Sequence, residues 1–313
     1  MLKRVDRIQI AVPDSASAER TVAEVFGAEL VRRDTVPPIR AKRSTMQAGT
    51  SLIELLEPDG SGPVQDFVSK WESGLFAVGF SVDDTDAAAH HFKKSDVRFE
   101  QFDGQLYLDP GATFGMRTVI STRHERAPVG AIKWVYEVTN VVGDWRSASD
   151  RYARIFGLDA SKFSPIESKD FGYTGTLTLF DPPERLDRIE IAQITDANLA
   201  MGRFHKRRGD SLYMFFVETD EVGAIENRLT TRGARFAAHR RDEADLAELF
   251  IHPSAFLGVL IGVSRTEHAW TWSGDPDRAR RSTHKLAGML SPAPRTLTIE
   301  EMDEAVRSQF KKL

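Results

Sequence analysis

Apolar and polar residues alternate with a period of two over short runs, and stretches of helical period separate those runs. Residues 5–12, "VDRIQIAV", alternate as a strand does. Pro13-Asp14-Ser15 stops that run, and Ser17 to Phe26 predicts an amphipathic helix with Gly27 as its C-cap. Short strand patterns follow, through "SLIELLEP". A further strand ("LFAVGFSV"), a helix over Thr85 to Lys94 and more strands up to "RTVIS" complete the first 123 residues. That is β-α-β-β-β twice, and the same order runs again from "IKWVYEVTN" to "VLIGVS". The pattern predicts an α+β fold of four βαβββ modules, two per domain.

The residues themselves echo this repetition. At an offset of 137, Phe67 falls on Phe204, Leu75 on Leu212, Asp83 on Asp220 and Phe99 on Phe236. "YLDPGATFGMRTVIS" is echoed by "FIHPSAFLGVLIGVS", and "SASAERTVAEVFG" by "SASDRYARIFG". The offsets differ between echoes, as expected when loops change length and elements do not. The expected domains are residues 1–124 and 130–265, with a linker near His124 to Gly130. Residues 266–313 belong to neither copy and predict a helical C-terminal extension. Its last helix has a capping box at Thr298 and Glu301 and an apolar stripe of Ile299, Met302, Val306 and Phe310. That stripe would pack on the parent protein or form a dimer contact.

A chain of 313 residues fits two ordinary domains, each long enough to bury a core. A net charge of −4 gives the whole molecule no attraction to nucleic acid or anionic membrane. Local basic runs such as Lys206-Arg207-Arg208 read as solvated faces. There is no cysteine, which excludes disulfides, thiolate metal sites and cysteine nucleophiles. The chain enters a strand-like run almost at once, so no leader is expected, and no apolar run is long enough to span a bilayer. A cytoplasmic location is the expectation, with a homodimer as the default assembly.

Four stretches in order, present twice, carry a family resemblance. "VDRIQIAVPD" resembles an opening strand and turn, and "SLIELLEP" the last strand of a first module. "GLFAVGFSVDDTDAAAHHFKKSDVRF" and "DPGATFGMRTVIS" resemble the start and end of a second module. The whole is similar to the vicinal oxygen chelate superfamily, which includes glyoxalase I, methylmalonyl-CoA epimerase, extradiol dioxygenases and bleomycin-resistance proteins. The resemblance implies two cupped mixed β-sheets. It also implies one divalent metal per working cup, held by His, Glu or Gln, His and Glu from four strands. Carried onto this sequence, those positions hold Arg7, Glu54, Ala77 and Val119 in the first domain. In the second they hold Trp134, Glu190, Met214 and Gly262. One glutamate matches in each, and an arginine cation would repel a metal. No metal or other cofactor is therefore expected, and a dioxygenase or a metal-dependent glyoxalase is disfavoured.

Residues two apart share a strand face. The first cup is then lined by Arg7, Gln9, Glu54, Ala77, Gly79, Arg117 and Val119, among others. Two readings follow: an internal Arg7–Glu54 salt bridge at the metal position, or Arg7 and Arg117 receiving a ligand's carboxylate or phosphate beside Glu54 as a base. The second cup would hold Trp134, Tyr136, Arg188, Glu190, Met214 and Phe216, either as filled core or as a stacking pocket with Glu190 as acid or base. The eight histidines sit on helices, turns, linker and tail, with His205 in a basic loop, and assemble no motif. The leading expectation is a protein that binds a small anionic or aromatic molecule without a metal. The alternatives are a metal-independent isomerase or lyase using Glu54 or Glu190 as base, and an interaction module using its tail.

Overall fold

Period-two alternation builds two sheets of eight strands each. The computed structural model describes residues 1–180, 185–240, 246–265 and Ala269; the rest of the predicted tail lies outside the described residues. The first domain runs β1 (Arg4–Ala11), α1 (Ser15–Phe26), β2 (Glu29–Val36), β3 (Ala41–Ala48) and β4 (Ser51–Pro58). It continues with α2 (Pro63–Trp71), β5 (Gly74–Val82), α3 (Thr85–Lys94), β6 (Phe99–Phe102), β7 (Gln105–Leu108) and β8 (Thr118–Thr122). The second opens with β9 (Trp134–Val142), α4 (Trp145–Phe156), β10 (Phe163–Ser168), β11 (Tyr173–Leu179) and β12 (Arg188–Ile194). It ends with α5 (Ala200–Arg208), β13 (Ser211–Glu218), α6 (Val222–Thr231), β14 (Phe236–Arg240), β15 (Leu246–Ile251) and β16 (Leu260–Ser264).

Both sheets have the same order. The first is β2-β3-β4-β1-β5-β8-β7-β6 and the second β10-β11-β12-β9-β13-β16-β15-β14. In each, the opening strands of the two modules meet antiparallel at the centre, and each module's first and last strands pair parallel. Three of the module helices begin alike, with Asp14, Asp84 and Asp144 accepting from free N–H groups of the first turn. Gly27 and Gly157 end α1 and α4 in the left-handed conformation.

α2 and α5 were not expected from the sequence. Each is a nine-residue helix joining the two modules of its domain. His205 and the run Lys206-Arg207-Arg208 therefore lie on a helix rather than in a loop.

One face of each sheet is apolar and carries the main core. Val5, Ile8, Ile10, Ile53, Leu55, Val78 and Phe80 join Val135, Val138, Ile189, Ile191, Phe215 and Val217 in a single cluster spanning both domains. Ring contacts stitch it across the seam: Phe26 lies 5.2 Å from Phe256 and Phe80 lies 5.8 Å from Phe156. The opposite faces are the cups. No helix among the described residues is long and apolar enough to cross a membrane.

Candidate functional site

The first cup is filled by charge. Arg7 donates to Glu54 at 2.9 Å, to Asp6 at 2.9 Å and to Ser121 at 3.0 Å. Gln9 donates to the other Glu54 oxygen at 2.8 Å. A second guanidinium, Arg43 on β3, reaches Glu54 at 3.4 Å, Gln105 at 3.2 Å and Asp34 at 2.7 Å. Arg7, Arg43 and Glu54 are all buried. Burial opposes the charge on Arg7, but Glu54 and Asp6 outweigh it and hold its pKa above the ordinary value. Asp6 is likewise opposed by burial, yet Arg7 and Arg126 hold it below the usual carboxylate range. Burial pushes the nearby Tyr107 hydroxyl up to about 12.

Of the two readings open for this cup, the geometry shows the internal Arg7–Glu54 salt bridge. Arg43 was missed. Its signal was available: β3 pairs with β4 so that Thr45 faces Glu54, and Arg43 is two residues from Thr45. Gly79 lies beneath Arg7, where a Cβ would stand 2.2 Å from Arg7 Cγ.

Arg117, expected inside this cup, stands apart from the ion network. Its guanidinium lies 4.8 Å above the Phe76 ring, in a groove lined by Phe67 and Trp71 of α2. Apolar Val64, Phe67 and Val68 of α2 pack on the cup residues Ala11, Leu56, Ala77 and Val119. A helix absent from the sequence reading thus covers that cup and leaves Arg117 outside it.

The second cup is arranged differently. Arg188 donates through Nε to Glu137, and Thr139 donates to Glu190. Arg188 also lies 5.6 Å from the Tyr136 ring, and Arg185 stacks 4.5 Å above Trp134. Tyr136 donates to Ser264, which donates to Glu248. Burial and the neighbouring Glu137 charge push the Glu190 carboxyl up to about 7. Burial also raises Glu137, against the pull of Arg188. Met214 and Phe216 line the same face, opposite Thr139 and Glu137.

Trp134 is not the counterpart of Arg7. Arg7 pairs with Leu52 and Gly79, while Glu137 pairs with Arg188 and Phe216. Glu54 stands opposite Gln9, and Glu190 opposite Thr139. Glu137 therefore holds the position assigned to Trp134. Both opening strands carry the same β-bulge, between Val5 and Arg7 in β1 and between Val135 and Glu137 in β9, so Glu137 stands level with Arg7 and Trp134 with Arg4. Trp134 and Tyr136 still face the cup side, beside Phe216 and Leu179.

Glu190 gives a pH dependence with a definite sign. Its folded-state pKa lies above the ordinary value of 4.5, so the folded protein keeps a proton that the unfolded chain releases. That stability is fully present below the unfolded pKa and is lost as pH rises through about 7. Asp187, buried and pushed up to about 6 by burial, adds the same sign. Asp6 and Asp34, both depressed, lose stability only as pH falls below the usual carboxylate range. Thermal unfolding should therefore show Tm falling from about pH 5 to about pH 8, with Glu190 accounting for on the order of 2 kcal/mol. Glu190→Gln should flatten the slope. An unchanged slope in that variant would contradict the assignment.

Residues 6–107 match the family model described as Glyoxalase/Bleomycin resistance protein/Dioxygenase superfamily. Over those residues the first domain is similar to that superfamily. The mitochondrial methylmalonyl-CoA epimerase of Mus musculus is 30% identical over 99 residues, covering 31% of this chain and 56% of the relative. The chain thus spans about half the length of that curated relative. Among solved structures, a mutant 4-hydroxymandelate synthase from Streptomyces coelicolor matches 85% of this chain and 93% of its own. Its TM-score is 0.65 at 12% identity. A fusion of a xylose isomerase-like TIM barrel with 4-hydroxyphenylpyruvate dioxygenase matches 85% of this chain and 49% of its own, with a TM-score of 0.58 at 10% identity. At such identities the likeness is one of fold, here of both cupped sheets together.

The superfamily's divalent ion does not fit these residues. In the first cup both Glu54 oxygens already accept, and two guanidiniums stand at the centre. In the second, Glu137 and Glu190 supply carboxylates, but Arg188 lies against one of them, and Met214 and Gly262 supply no nitrogen or oxygen side-chain donor. No group of three or more His, Asp or Glu suited to a metal occurs among the described residues.

Proposed function

We propose that this protein binds a small organic molecule, anionic or aromatic, in its second cup without a metal. The observation that carries this is the Arg188 guanidinium. It donates to Glu137 through Nε, while the buried Nη1 has no hydrogen-bond partner among the described residues. A buried unpaired donor is costly unless something else satisfies it. The planar fork suits a carboxylate. Around it, the half-buried rings of Trp134 and Phe216 offer surface, and Trp134 Nε1 is a second buried donor without a partner. In the first cup both Arg7 Nη atoms are bonded within the protein and only its Nε is buried without a partner, so no Nη group is left for a carboxylate.

The test uses the full chain. Aromatic carboxylates should raise the Tm of the wild type and fail to do so in Arg188→Gln, and elemental mass spectrometry should find no stoichiometric metal after dialysis against chelator. A retained stoichiometric metal, or stabilisation unchanged in Arg188→Gln, would overturn the reading.

A second reading is favoured by Glu190. A buried carboxyl with a pKa of about 7 can give or take a proton at neutral pH, as an isomerase or lyase requires. Turnover that survives chelator but is lost in Glu190→Gln would support it. Glu54, saturated by three donors, is not offered as that base.

A further inference from the structure

The basic run on α5 does not simply face solvent. Arg208 is half-buried against the first domain, its guanidinium 4.4 Å from the Trp71 ring, 5.4 Å from Phe67 and 5.2 Å from Phe204. Arg207 also lies over Trp71 at 5.5 Å, and Lys70 at 4.9 Å. Two adjoining hollows open here, of about 150 and 270 Å³, sharing Phe67, Trp71 and Arg117. Arg117 enters from the first domain and Arg208 from the second, and both line the smaller hollow. Neither guanidinium makes a hydrogen bond or ion pair with another described residue, and Arg208 Nε is buried without a partner.

Charge is unbalanced at this seam. Lys70, Arg117, Arg207 and Arg208 converge, and Asp66 is the one carboxylate lining the hollows. Burial lowers the pKa of Arg117 despite Asp109 and Asp66, and burial with Arg207 pushes Arg208 down to about 10. Crowded, partly desolvated cations of this kind are stabilised by a multiply charged anion. The backbone around them is tightly set: Gly115, at φ +74°, lies where a Cβ would stand 1.8 Å from the Asp210 carbonyl oxygen across the seam.

We propose that the groove between α2 and α5 is a binding site for a small phosphate monoester, its dianionic head between Arg117 and Arg208 and its organic part against Trp71. A dianion answers the surplus of cations better than a monocarboxylate does. The hollows admit a head group with a small organic part, since a water occupies about 30 Å³. The ligand would bridge the two domains, so binding should also raise Tm. This site is separate from the second cup and does not depend on Arg188.

The test is isothermal titration calorimetry on the full chain, with phenyl phosphate, inorganic phosphate and benzoate as probes, at about 0.15 M salt. Phenyl phosphate should bind saturably. Arg117→Gln and Arg208→Gln should each weaken it at least about tenfold, with unliganded Tm unchanged. Trp71→Phe should weaken phenyl phosphate but not inorganic phosphate, and Arg188→Gln should leave both as in the wild type. Should either arginine variant unfold, Lys substitutions at the same positions keep the charge and should retain part of the affinity. No saturable binding up to about 10 mM, binding indifferent to both arginines, or benzoate binding the Arg188→Gln protein as tightly as phenyl phosphate does would each overturn the proposal.

Discussion

Glu54→Ala lowers the stability of this protein by about 3–5 kcal/mol, read as a fall in denaturant midpoint at constant slope. The residue is buried, and its two oxygens accept from Arg7, Gln9 and Arg43. Removing it leaves two guanidiniums in the cup with less negative charge than they need. Asp6 and Asp34 remain as partners for Arg7 and Arg43 respectively, which keeps the loss from being larger. Glu54→Gln preserves the shape and part of the hydrogen bonding, so it should fall between wild type and Glu54→Ala. A loss below about 1 kcal/mol in Glu54→Ala would show that Asp6 and Asp34 suffice and that Glu54 does not hold the cup together.

Gly79→Ala should destabilise by about 3 kcal/mol or more. The new methyl would stand 2.2 Å from Cγ and 2.6 Å from Cδ of Arg7. A flexible surface side chain would swing away, but Arg7 is held by Glu54, Asp6 and Ser121 and has no solvent to move into. Relief requires breaking the buried ion pair or shifting the central strands. Calorimetric melting of Gly79→Ala, Arg7→Ala and the double variant checks the cause. The alanine at 79 should cost much less once Arg7 is gone. Gly223→Ala on α6 serves as the contrast, because nothing lies within 4 Å of the added carbon. It should be neutral or stabilising by about 0.5–1 kcal/mol. Equal losses at 79 with and without Arg7 would place the strain in the backbone instead.

Both predictions depend on contacts that local sequence pattern shows only in part. Alternation along β1 placed Arg7, Gln9 and Ala11 on one face, and the repeat of "SLIELLEP" placed Glu54 at the centre, so the Arg7–Glu54 bond was legible. Arg43 was not, because strand neighbours are chosen by hydrogen-bond register between distant segments rather than by local pattern. The α2 helix opens at Pro63 and is short, and its apolar residues were indistinguishable from those of a connecting segment. Its position over the first cup is what separates Arg117 from Glu54.

The sequence alone determined the module order, the duplication, the capped helices and which strand faces are apolar, because periods of 2 and 3.6 are local geometric facts. Tertiary structure alone decided three further matters. The register of β9 against β13 put Glu137, not Trp134, opposite Phe216. Burial between paired strands, with a second carboxylate alongside, moved the Glu190 carboxyl to about 7. The docking of α5 against α2 brought Arg208 onto Trp71 from a residue 137 positions away. Each depends on neighbours far apart in the chain, and none of the three is written in any single stretch of residues.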